Sequence, residues 1–362
     1  MKIIQIISSL ASGGAERFVA NISNQLCGEG HDVIVCTMND NPDINFNKQF
    51  LDPRIKYHSF QIKGKNFLWI IKRVYQFIQL CKPDIIHCHL ATIQYLLPIY
   101  LEKKSKVFHT IHSMPKYASG GGGWHKILFK VLYKTGCVIP ITIAAECHNS
   151  YKNFYGLNND FLIENGVPSI KSTANIDSIK KEVESYKQSK RTPVFIHVAR
   201  FHPSKNQRML IEVFNELTNL DVDYTLLVLG RGFNEGDGKK IKESASQNIH
   251  FLGEKSNVGD YLLCSDFFCL TSIYEGLPIS LIEAMSVGLT PISTAVGGTI
   301  DVIQNGITGY LCKEITKESY IETVLYAIEN KLDSESIIKY FEQNFSMVKC
   351  TYRYLELFNK KH

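Results

Sequence analysis

Two glutamates, Glu275 and Glu283, stand in the stretch SIYEGLPISLIEAM, Ser272 to Met285, with Gly-Leu-Pro directly after the first. Paired carboxylates either exchange protons with a reacting bond or accept hydrogen bonds from neutral hydroxyl groups. The run DFFCLTS reads as a buried strand ending at Ser272, and Pro278 suits the first turn of a helix that continues past Glu283. Glu275 then lies on the loop at the strand end, and Glu283 lies inside the helix. Nothing forces a loop residue and a helix residue to the ~5–5.5 Å spacing of a retaining glycosidase. The backbone N–H groups of Gly276 and Leu277, with a helix dipole behind them, suit an anion.

Other corners of the chain offer matching chemistry. In VARFHPSKNQRMLIEVF, Val198 to Phe214, a strand ends at Arg200 and a helix begins near Asn206. Arg200 and Lys205 are thereby placed at a strand's carboxyl end, where open α/β sheets bind ligands. An Arg forks onto a diphosphate, and a Lys adds a point charge. In SSLASGGAERF, Ser8 to Phe18, Gly13 and Gly14 open a helix after the first strand. Such a corner is a phosphate loop or simply a tight turn, and both readings fit.

Three further patterns weigh less. DVD at 221–223 precedes a strand and reads as a solvated loop. HCH at 87–89 puts His87 and His89 on one strand face, but a third metal ligand is missing nearby, so packing is expected. His109 and His112 point oppositely if both lie in the strand KVFHTIH, and His109 is assigned to packing.

The elements that must position these groups alternate along the chain. KIIQII, DVIVCT, DIIHCH, KVFHTIH and CVIPITI read as buried parallel strands, with GAERFVANISNQL, NFLWIIKRVYQFIQL and WHKILFKVLYK as helices between them. A polar stretch, 168–193, interrupts this series. A second one follows with PVFIHVAR, YTLLVLG, NIHFLG, DFFCLTS and TPIST. Two βαβ series predict an α/β protein of two doubly wound, Rossmann-like domains facing across a cleft. A length of 362 residues fits, since single cores rarely exceed ~250–300.

Charge is uneven. Residues 1–168 carry 18 basic against 11 acidic side chains, and 169–362 carry 22 against 24. A basic first half suits an anionic partner or is merely a solvated surface. Nucleic acid is not expected, because no basic stripe interleaved with stacking aromatics stands out. Lys126, Lys130 and Lys134 recur every four residues on a helix carrying Trp124, Ile127, Leu128, Val131 and Leu132. Such a helix rests on anionic lipid or packs on the sheet with its lysines in water, and both fit. The ten cysteines form no C-x-x-C pair, and the opening MKIIQIISSL reads as a strand rather than a leader. A cytoplasmic location is expected, with the inner membrane face as a peripheral site.

The sequence resembles the family-4 retaining glycosyltransferases of the GT-B fold. GGAER, HTIHS at 109–113, ENGVP at 164–168, VARFHPSKN at 198–206, TLLVLGRG at 225–232, YEGLPISLIEAMSVGLTPISTAVGG at 274–298 and NGITGYL at 305–311 occur in family order across nearly the whole chain. The resemblance implies an N-terminal acceptor-side domain at 1–168 plus 345–362, a linker at 169–189, and a nucleotide-sugar domain at 190–344. YRYLELFNK, 352–360, resembles the closing helix that returns to the first domain.

By the same resemblance, Glu275 contacts the donor sugar's hydroxyls and Glu283 the nucleotide ribose. Arg200 and Lys205 neutralise the diphosphate, and Gly13 and Gly14 approach it. His112 lies beside the sugar. Gly276, Leu277 and Leu252 complete the donor site, with base contacts near Phe251–Gly253. Arg17 and Lys116 are assigned to the acceptor. Ala199 and Asn206 stand where the family often has Gly, and Ala144 where a Ser is common.

The implied reaction transfers a sugar, expected from a UDP-sugar, to a glycan or lipid-linked acceptor in making capsule, O-antigen or a similar surface polysaccharide. Retention is expected, with no metal and no cofactor. The rivals are a GT-B sugar-nucleotide epimerase, which has no reason to carry the Glu-x7-Glu block, and a nonenzymatic nucleotide-sugar-binding protein.

Overall fold

The computed structural model describes residues 1–11, 13–40, 46–102, 104–115 and 123–360. The chain divides into two compact units, Met1–Val167 with Met347–His362, and Pro168–Ser346.

The first unit is built on seven parallel strands, β1 (Lys2–Ile7), β2 (Asp32–Thr37), β3 (Lys56–Ser59), β4 (Ile85–His89), β5 (Lys106–Ile111), β6 (Ile139–Thr142) and β7 (Phe161–Leu162), in the order β3-β2-β1-β4-β5-β6-β7. Strand alternation supplies two apolar faces. Ile4, Ile6, Ile86, Cys88, Val107 and Ile111 pack with Val74, Ile78, Phe129 and Tyr133 from helices on one side. Ile3, Ile7, Val33, Val35, Ile85 and Phe108 pack with Phe18 and Ile22 of the helix Gly14–Gly28 and with Tyr354 and Phe358 of the helix Met347–Asn359.

That last helix is tied down by named bonds. The Met347 N–H donates to the Val167 carbonyl at 2.9 Å. Lys106 Nζ donates to the carbonyls of Phe358 and Lys360 at 3.0 and 2.8 Å. Arg353 pairs with Glu164 at 2.7 Å.

The second unit has six parallel strands, β8 (Val194–Val198), β9 (Thr225–Leu229), β10 (Ile249–Gly253), β11 (Phe267–Leu270), β12 (Thr290–Thr294) and β13 (Tyr310–Cys312), in the order β10-β9-β8-β11-β12-β13. The chain builds outward from β8 to β10, then crosses to β11 on the other side of β8. The strand order therefore reverses between β8 and β11, which makes their carboxyl ends the switch point where ligands bind. In the first unit the same reversal falls between β1 and β4.

Residues 169–189, the expected linker, cluster with the second unit. They contain the helix Ile176–Tyr186, which buries Ile179 and Val183 in the second unit. Thr173 donates to Asp260 through both N–H and Oγ1, at 2.8 and 2.5 Å, and Tyr261 OH donates to Glu182 at 2.9 Å. The polar composition hid two buried positions at helical spacing.

The helix Trp124–Lys134 also differs from its sequence reading. Phe129, Leu132 and Tyr133 face the core, whereas Trp124, Ile127 and Val131 are 54%, 68% and 51% exposed. The apolar residues thus form two faces, one packed inward and one outward. Among the described residues no helix is long and apolar enough to cross a membrane.

Candidate active site

The switch point of the second unit gathers most of the predicted donor residues. Arg200 follows β8, Lys205 lies on the short helical turn Pro203–Lys205, and Glu275 follows β11. The two loops are stitched together. Thr271 Oγ1 donates to the carbonyls of Lys205 and Asn206 at 3.1 Å each, and the Ile273 N–H donates to the Ser204 carbonyl at 2.9 Å. Asn206 adopts φ +50°, a left-handed conformation that Asn tolerates and Gly adopts freely, so the turn shape survives this replacement.

Glu275 is buried and doubly anchored. It is 7% exposed, and its Oε1 accepts both from Lys205 Nζ at 2.6 Å and from Ser272 Oγ at 2.5 Å. Ser272 is held in turn, since Thr294 Oγ1 donates to its carbonyl at 2.5 Å. Both contacts fall on one carboxylate oxygen, which leaves Oε2 as a positioned acceptor. Lys205 Nζ carries three hydrogens and gives one to Glu275, so it can still serve an anion.

Arg200 is exposed, and its guanidinium makes no hydrogen bond or ion pair among the described residues. Its carbonyl accepts from the buried Gln207 amide at 2.9 Å, which fixes the backbone there. Gly230 and Gly232 press against this strand end. A Cβ on Gly230 would clash with the Ala199 carbonyl, and its φ is +141°. The Phe201 N–H donates to the Arg231 carbonyl at 2.8 Å, which brings a second arginine beside Arg200. Arg231 stood inside the quoted stretch TLLVLGRG, none of whose residues was singled out.

The loop after Glu275 is shaped by close backbone approach. The Gly298 N–H donates to the Gly276 carbonyl at 2.8 Å, and a Cβ on Gly298 would clash with that oxygen. Leu277 is buried, and the helix Ile279–Ser286 begins after Pro278, which is its N-cap rather than a residue of its first turn. Glu283 is half-buried on this helix. Leu252 is the extra residue at a register shift on the edge strand β10, separated from β11 by β9 and β8.

In the first unit, Gly13 is the N-cap of the helix Gly14–Gly28, and Gly14 is exposed. The Glu16 carboxylate folds back over Gly13, where a Cβ would meet it. An anion at this helix end must displace that carboxylate, a competitor the sequence motif did not reveal. The Arg17 guanidinium sits over the Phe50 ring at 4.1 Å. Lys116 lies outside the described residues.

His112 follows β5 and lies on the face covered by Phe18, whose ring meets it edge-on at 5.5 Å. His109 points to the opposite face, with Nδ1 2.6 Å from Tyr133 OH and Nε2 2.5 Å from the Leu90 carbonyl. His87 and His89 share the His112 face and belong to no metal-ligand cluster among the described residues. His87 Nε2 lies 2.7 Å from Thr110 Oγ1, and His89 joins Gln5 and His112. Burial pushes the His112 imidazole down to about 3 and that of His109 to about 4. His87 and His89 fall well below their ordinary value, first through burial, then for His87 through His112 and His109 and for His89 through His87, His112 and His109. Gln5 drew no notice in the sequence, and its trace is a single polar residue in the apolar run IIQII of β1.

Each unit is a Rossmann-like parallel sheet, and the switch point of the second carries cations beside an anchored carboxylate, chemistry that suits a phosphorylated ligand. Comparisons place the chain further. The description "Glycosyltransferase Family 4" matches residues 12–169, and "Glycosyl transferases group 1" matches 178–344. The chain belongs to the family-4 type glycosyltransferases of the GT-B fold.

It is 25% identical over 320 residues to the N-acetyl-alpha-D-glucosaminyl L-malate synthase of Bacillus anthracis, covering 83% of this chain and 81% of that one. It is 25% identical over 344 residues to a Campylobacter jejuni alpha-1,4-N-acetyl-D-galactosaminyltransferase acting on a diNAcBac-PP-undecaprenol glycan, covering 90% and 89%. The crystal structure of Anabaena HepE in complex with UDP and glucose superposes with a TM-score of 0.80 at 17% identity, covering 100% of both chains.

Proposed function

We propose that this glycosyltransferase moves a sugar from a UDP-sugar to a hydroxyl of a glycan or lipid-linked acceptor in surface polysaccharide synthesis, with retention and without a metal. The observation that carries the reading is Glu275, anchored through Oε1 with Oε2 left as an acceptor for sugar hydroxyls. A proton-transfer role has no use for a carboxylate pinned by a lysine and a serine. Lys205, shared between Glu275 and the donor diphosphate, couples sugar placement to phosphate binding. Arg200 neutralises the leaving diphosphate, an electrostatic stabilisation that grows as the glycosidic bond breaks. Glu283 accepts from the ribose, Gly14 approaches the phosphates, and Arg17 and Lys116 serve the acceptor. The Campylobacter relative's undecaprenol-linked substrate and the UDP bound by Anabaena HepE support this choice of acceptor and donor.

Thermal shift with UDP, GDP and ADP sugars tests the reading. A ligand at a hundred times its Kd adds ~2.7 kcal/mol of stability. A shift for the uridine class that Glu283→Ala abolishes is the expected result. No shift for any class refutes the donor site.

The helix Trp124–Lys134 favours work at the inner membrane face. Its exposed Trp124, Ile127 and Val131 run beside Lys126, Lys130 and Lys134, the composition of a helix lying on anionic lipid. Sedimentation with acidic liposomes should carry the protein down, and Lys126→Glu with Lys130→Glu should release it. Unchanged sedimentation removes this part.

A further inference from the structure

Gln5, His89 and His112 form a hydrogen-bonded chain across β1, β4 and the end of β5. His89 Nε2 lies 2.8 Å from Gln5 Oε1, and His89 Nδ1 lies 2.9 Å from His112 Nε2. Gln5 and His89 are fully buried. The rings are held by packing. His89 and His112 stack at 5.1 Å, His87 lies 4.1 Å from His89, and Phe18 closes on both His89 and His112. His87 is itself braced through Thr110 to Tyr354 OH, at 2.7 and 3.0 Å.

A neutral imidazole carries one hydrogen, so each ring has one donor and one acceptor nitrogen. The polarity of such a chain is set at one end and read at the other. Gln5 turns its carbonyl oxygen to His89 and leaves its own amide N–H2 buried without a partner among the described residues, and with the amide so placed His89 Nε2 carries the hydrogen and donates. His89 Nδ1 must then accept, and His112 Nε2 carries the hydrogen that it accepts. His112 Nδ1 is left as a bare acceptor, buried and without a hydrogen-bond partner among the described residues.

We infer that Gln5 and His89 are positioning residues that lock His112 in the Nε2–H tautomer, making Nδ1 an acceptor that selects a hydroxyl on the donor sugar. The inference rests on the reading that His112 touches that sugar. A buried acceptor without a partner is costly, and a sugar hydroxyl donating to it removes the cost. A donor with no hydrogen to give at that position keeps the cost and is discriminated against.

Nitrogen-15 spectra of the histidine-labelled protein report the tautomer directly. The expected spectrum shows His112 protonated on Nε2 in the wild type and a tautomer mixture in Gln5→Met. Calorimetric titration is the second readout. Among UDP-glucose, UDP-galactose and UDP-N-acetylglucosamine, the best wild-type ligand should bind Gln5→Met about tenfold more weakly. UDP alone should bind it within twofold of wild type.

His89→Gln serves if Gln5→Met does not fold, and the wild-type spectrum needs no variant. An Nδ1-protonated His112, or a variant with unchanged tautomer and unchanged sugar preference, overturns the inference. A wild type that binds no UDP overturns the functional reading instead and leaves the tautomer to be decided by the spectra alone.

Discussion

The buried histidines make the first unit acid-labile in a calculable window. An unfolded histidine takes up a proton near pH 6.5. In the folded chain burial holds His109 down to about 4 and His112 down to about 3. Between those limits the unfolded chain binds more protons than the folded one, so stability falls as pH falls. It is fully present above about pH 6.5 and is lost progressively toward pH 4. Going from pH 7 to 5, each such histidine costs about 2 kcal/mol, and the pair about 4 kcal/mol. His87 and His89 act in the same direction. The second unit has one histidine held down to about 4, His197, and should lose about 2 kcal/mol from it. Both tryptophans, Trp69 and Trp124, lie in the first unit, so their fluorescence in urea titrations follows that unit. Its unfolding free energy should drop steeply between pH 7 and 5. His109→Gln should remove about 2 kcal/mol of that drop. A first unit equally stable at both values, or a variant with an unchanged pH slope, would refute the reasoning.

Two further outcomes follow from the switch point of the second unit. Gly298→Ala sets a Cβ against the Gly276 carbonyl, so the loop carrying Glu275 must move. A loss of about 1–3 kcal/mol in thermal unfolding is expected, together with weaker UDP-sugar binding, and an unchanged melting temperature would contradict the close approach. Lys205→Met keeps the aliphatic stem but strips the charged donor from a carboxylate that is 7% exposed. A loss of about 1.5–3 kcal/mol is expected from the missing charged hydrogen bond. Nucleotide-sugar affinity should fall with it in calorimetric titration, and stability lost without any change in affinity would separate Lys205 from the donor.

Most of the fold was legible because its strands are buried on both faces. KIIQII, DVIVCT and TLLVL are apolar at nearly every position, a pattern that parallel sheets require and half-exposed ones do not. The packing of the stretch 169–189 was not legible because only Ile179 and Val183 are buried along its helix, too sparse a stripe to stand out among lysines and glutamates. The split face of the helix Trp124–Lys134 was hidden for the opposite reason. Its apolar residues surround much of the helix, so composition alone does not say which of them face the sheet.

The candidate site shows where sequence reading stops. Glu275 was assigned a sugar by the family resemblance and Lys205 a diphosphate by residue type and strand-end position, one partner apiece. In the structure they bind each other as well, and Ser272, three residues before Glu275 in the same quoted stretch, shares the same carboxylate oxygen. That pairing joins loops 70 residues apart, and such a contact follows from the switch point between β8 and β11, not from local pattern. The histidine chain carries the same lesson further. Gln5, His89 and His112 lie on three strands, and each alone reads as a polar residue tolerated in a core. Only the order β1-β4-β5 makes them neighbours, and only the hydrogen count along the chain assigns His112 Nδ1 its role as an acceptor.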